Sequence, residues 1–149
     1  MGKPEGSGWI LSWTTVFADE SISAKGPHGD HSADKDDSLA ALPSPKALNK
    51  EIECYYEPTD TYAETTVLDV GPWEIDDPYW LTPEKEPKAV YKHAAYKRGE
   101  RGREARDFKN RLVISDATLD LSEAAWADLG VKRAFGKWHS GWVWWRFKS

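Results

Sequence analysis

The chain has 149 residues, with 20 Lys and Arg against 25 Asp and Glu for a formal charge of −5, and 40% of its residues are hydrophobic. That is one domain's worth of chain, 1–149, with enough apolar side chains for a core, and the acid excess excludes a generally basic nucleic-acid binder. A single cysteine, Cys54, excludes an internal disulfide framework and a cysteine-based zinc site, and no stretch reaches the roughly 18 apolar residues of a membrane span.

Residues 1–7 lack the apolar run of a secretory signal, and Gly6 stands where a myristoylation pattern needs Ser or Thr. The expectation is synthesis in the cytoplasm without an export signal, so that any extracytoplasmic target is reached through lysis or delivery in a particle. Residues 10–17 (ILSWTTVF) are β-branched and aromatic and predict a strand. From Asp19 to about Pro45 the composition turns to Asp, Ser, Gly, Pro and Lys, which reads as a long loop. His28, Asp30, His31 and Asp34 fall in it, but two histidines in such a loop do not make a metal site, and neither metal nor cofactor is expected.

Residues 51–57 alternate, with Ile52, Cys54 and Tyr56 on one face, and predict a half-buried strand. Another strand is expected over 64–70, stopped by Gly71-Pro72. Residues 73–109 show neither period, hold Pro78, Pro83 and Pro87, and read as a surface insertion, about 74–117 in all. Its basic run from Lys88 to Arg111 also contains Glu100, Glu104 and Asp107, as a solvated loop would; beside a binding groove it would attract an anionic polymer. A short strand is expected at 111–115. Ser122 fits the N-cap of a helix through Leu129, with Gly130 as its stop and Leu121, Ala125 and Leu129 on its buried face. Residues 141–147 predict a closing strand. Many short strands in one small domain indicate a barrel or sandwich.

The chain carries nine Trp, six Tyr and four Phe. Most are expected to pack the core; Trp73 and Trp80, flanking the Asp69 turn, are candidates to stack on a ligand face.

Two motifs in order are informative: Asp69-Val70-Gly71-Pro72-Trp73 at a strand end, and Leu119-Asp120-Leu121-Ser122 opening a helix with Ala and Leu129-Gly130, before a last strand. With Ala41-Leu42-Pro43 ahead of the second strand, this order resembles the double-psi β-barrel family of rare lipoprotein A, bacterial expansins and the MltA-type lytic transglycosylases. The resemblance implies a mainly β, six-stranded double-psi barrel with one short helix and a long loop insertion. It implies cleavage of glycan strands, peptidoglycan above all, in the manner of a lytic transglycosylase; taken with the missing export signal, the expectation is a phage-encoded or virion-associated cell-wall enzyme. Its alternative is a non-catalytic saccharide-binding or structural module of a virion or tail, with other virion proteins as partners.

For the site, the resemblance implies Asp120 as general acid, with Asp69 nearly its equal, and a groove-lining threonine at Thr14 or Thr15, of which only one can face inward. Ala40 or Ala41 stands where rare lipoprotein A carries a His. Trp73 or Tyr79 fills the space that a Tyr takes in expansins. Read from the residues alone, Gly71-Pro72 presents Asp69 at a strand end, and Asp120 precedes a helix. An Asp at either place also serves backbone N–H groups; it is the pair that points to chemistry, because a protonated carboxyl beside an ionised one can protonate a glycosidic oxygen.

Overall fold

Alternation along the first strand, β1 (Ile10–Phe17), separates two environments. Ser12, Thr14 and Val16 are buried, whereas Leu11 is exposed and Trp13 and Thr15 are half-buried. The same alternation recurs around a closed wall of strands, so each strand contributes one row of side chains to an interior and one to the outside. The computed structural model describes residues 2–17, 20–21, 32–33 and 37–149; His28, Asp30, His31 and Asp34 lie outside them.

After β1 come β2 (Glu20–Ser21) and β3 (Ser32–Ala33), a small antiparallel pair. The wall continues with β4 (Leu39–Leu42), β5 (Glu51–Tyr56), β6 (Thr61–Val70), β7 (Leu119–Ser122) and β8 (Gly141–Phe147). Around the closed barrel the order is β1-β7-β4-β6-β5-β8. The β1/β7 and β4/β6 pairs are parallel, and β4 and β7 join them antiparallel. The protein is therefore mainly β, a closed six-stranded barrel of the double-psi kind.

Leu42, Ile52, Val67, Leu119, Leu121, Val143 and Trp145 fill the interior and are fully buried. Each such aliphatic side chain contributes about 1.5–3 kcal/mol by leaving water. Trp145 also donates its indole N–H to Ser12 Oγ at 3.0 Å, so its polar edge has a partner inside the core. A helix, α2 (Glu123–Asp128), closes one end of the barrel. Ser122 is its N-cap, as expected, accepting from the Ala125 N–H at 3.2 Å. Gly130 then ends it at φ +87°. Trp126, fully buried, donates its indole N–H to the Thr15 carbonyl at 3.0 Å and pins the helix to β1.

Three expectations are corrected. The stretch read as one loop to Pro45 contains β4, the central strand between the two acids. The insertion, read as lacking any period, contains a ten-residue helix, α1 (Lys88–Lys97), that buries only Ala89 and Ala95. Residues 111–115 form no strand; their single pairing is the bridge Arg106–Leu112.

Candidate functional site

Ala41 of β4 is the hinge of the site. On one side it pairs with Asp120 of β7 and on the other with Asp69 of β6. A bulge makes the second pairing possible: Ala40 opposes Val67, Ala41 opposes Asp69, and Leu68 is passed over. Paired residues face the same side of a sheet, so the bulge turns Asp69 outward beside Ala41 and Asp120. With strands about 4.8 Å apart, the two aspartate backbones lie about 10 Å apart across β4. The small Ala41 side chain leaves the space between them open.

That space is a groove of about 410 Å³, lined by Asp69, Asp120 and Ala41 and by Phe108, Lys109 and Arg111 from the insertion. Thr15 Oγ1 donates to Asp120 Oδ1 at 3.2 Å, which orients that carboxylate. Arg111 is held in turn by Asp107, to which it donates from Nε at 2.8 Å and with which its Nη2 pairs at 2.7 Å. The Asp107 side chain is fully buried and also accepts the Lys109 and Arg111 backbone N–H groups. Arg111 lies over the Trp73 ring, 5.5 Å from its centroid. A cation is thus fixed at the mouth of a groove that holds two carboxylates.

The structure brings together Asp69, Asp120 and Thr15, with Trp73 behind Arg111. It does not bring the other expected residues to this groove. Thr14 alternates into the barrel, is fully buried, and donates its hydroxyl to the Ser12 carbonyl at 3.0 Å. Tyr79 is drawn inside by the 3-10 turn Tyr79–Leu81 and shares hydrogen bonds with Ser12 Oγ at 3.1 Å and the Thr118 carbonyl at 3.0 Å. Burial pushes its phenol up to about 12. Trp80 packs edge-on against Trp145 and Phe147 and lines a separate groove with Trp9, Pro83 and Pro87.

Lys109 and Arg111 end the basic run that the sequence leaves as either a solvated loop or a charged border to a groove, and they line this one. The signal was the position of the basic run at the C-terminal end of the insertion, where the chain must return toward β7. Among the described residues no three His, Cys, Asp or Glu side chains gather as a metal site, and no helix is long and apolar enough to cross a membrane.

A family model described as a domain of unknown function, DUF8814, matches residues 13–143. The chain matches none of the curated proteins. Among solved structures, the Streptomyces papain inhibitor (SPI) aligns with a TM-score of 0.47 at 15% identity, over 95% of this chain and 94% of that one.

Proposed function

The chain belongs to the DUF8814 family, and within the matched span, which includes both groove acids, we propose a site that cleaves glycan strands of the peptidoglycan class by lytic transglycosylation. The observation that supports the reading is that Asp69 and Asp120, 51 positions apart in sequence, line one open groove on either side of Ala41. In this reading Asp120, oriented by Thr15, protonates the leaving glycosidic oxygen. The sugar's own 6-hydroxyl attacks the anomeric carbon and yields a 1,6-anhydro end; its proton passes to a carboxylate, so no water is consumed. Asp69 serves as the partner that stabilises charge developing on the ring.

Lys109 and Arg111 give the reading its substrate preference. Stem peptides of peptidoglycan carry carboxylates, and Lys109 and the exposed side of Arg111, which Asp107 holds in place, are the cations of this groove that meet them in this reading. The resemblance to rare lipoprotein A and the lytic transglycosylases supports the same substrate.

Purified sacculi incubated with the protein test the reading by mass analysis of released fragments. Anhydro ends are expected, with a loss of at least about a hundredfold in rate for Asp120→Asn and a comparable loss for Asp69→Asn. Reducing ends would instead indicate hydrolysis. Unchanged cleavage in both variants would remove the pair from the chemistry, and no cleavage by the wild type would leave a saccharide-binding module.

A further inference from the structure

We propose that the outer wall of the barrel carries a second glycan contact, an aromatic platform of Trp13, Trp142 and Trp144, that seats sugar rings of the strand entering the Asp69–Asp120 groove. The proposal rests on the glycan reading of that groove and extends it along the outer wall of the barrel.

Trp13 of β1 and Trp142 of β8 are direct antiparallel partners, with ring centroids 5.3 Å apart and planes at 73°. The next outward pair is Leu11 and Trp144. Together with Glu57 and Pro58, from the turn after β5, these side chains enclose a groove of about 590 Å³. Trp142 is 51% exposed and Leu11 43% exposed. None of them fills the barrel, since Val143 and Trp145 do that from the same strand. Large aromatic surface left in water in one contiguous patch is the mark of a binding face.

The chemistry of the rim selects the occupant. An indole face presents electron density to the weakly polarised C–H groups on one side of a sugar ring. The ring's edge carries hydroxyl donors, which the Glu57 carboxylate at the groove's border can accept. Position points the same way. Thr15, whose hydroxyl holds Asp120, follows Trp13 by two residues on the same outward row of β1, about 7 Å away. One extended polymer can therefore touch both sites, whereas a small ligand cannot.

The test is co-sedimentation of the full chain with purified peptidoglycan sacculi. Trp142→Ala is expected to bind about tenfold more weakly, and Trp142→Phe, which keeps a flat ring, to bind near the wild-type level. Equal sedimentation of Trp142→Ala and wild type would overturn the platform. So would a wild-type dimer, seen by light scattering, that Trp142→Ala converts to monomer. Anhydro ends report on the acid groove alone: their absence, with retention that depends on Trp142, removes the cleavage reading and upholds the platform. Anhydro ends with retention indifferent to Trp142 do the reverse; a wild type that does not sediment with sacculi overturns the platform, and one that also yields no anhydro ends removes both.

Discussion

His139 shows how a single side chain can set a pH dependence. Its Nε2 lies 3.1 Å from the Tyr56 hydroxyl, and its ring stands edge-on to Trp126 and Tyr56. Burial, aided by the nearby Lys137 charge, holds the imidazole below its ordinary value of 6.5. The unfolded chain therefore takes up a proton, as pH falls through about 6.5, that the folded chain refuses. Stability contributed by neutral His139 is complete above that point and declines below it, toward the lower folded value. Urea unfolding between about pH 7.5 and 5.5 is expected to show this decline for wild type and a shallower one for His139→Gln. Sequence alone did not single out His139, because nothing local marks a histidine that packs against Tyr56, 83 positions away.

At the scale of elements, the fold joins at Ser122. Its hydroxyl oxygen accepts the Ala125 N–H at the start of α2 and the Leu39 N–H at the start of β4, 3.0 Å away. Ser122→Ala removes a helix cap, about 1 kcal/mol, and leaves a buried backbone donor without its acceptor, about 1–3 kcal/mol more. A combined loss of about 2–4 kcal/mol is expected in denaturant unfolding, with β4 losing amide-exchange protection first.

The cap was legible because capping is local: Ser before an Ala-rich stretch with Gly130 behind it says helix. The central strand was not. Leu39, Ala40, Ala41 and Leu42 are all buried, so the alternation that marks β5 is missing, and polar residues precede them. The insertion helix α1 escaped for a related reason: it buries only alanines, which do not stand out as a stripe, and Lys88, Lys92 and Lys97 dominate its reading. What initiates α1 is distant, since the buried Asp77 accepts the Lys88 N–H at 2.8 Å. The acids Asp69 and Asp120 were legible as a pair through motif order. The bulge that turns Asp69 outward depends on how β4 sits between β6 and β7, and the cations beside it are brought there by the insertion.

The barrel as a whole divides its residues between two walls, and β8 measures how independent they are. Trp145, turned inward, is fully buried and bonded to Ser12; Trp142, three positions earlier, is turned outward. Trp145→Ala is expected to lower the unfolding free energy by about 3–5 kcal/mol, and Trp142→Ala by no more than about 1 kcal/mol. Urea midpoints that moved equally in the two variants would contradict this division.

Because the ring of six strands closes on itself, the barrel has no edge strand. Another polypeptide finds no edge strand to extend in the barrel; among the described residues only the β2–β3 pair lies outside the ring. Recognition is left to what projects from the exterior and to the long excursion between β6 and β7. Apart from Tyr79 and Trp80, which reach back into the core, those parts can be rewritten without loosening what lies within, so specificity in such a molecule can drift while its skeleton stays as it is.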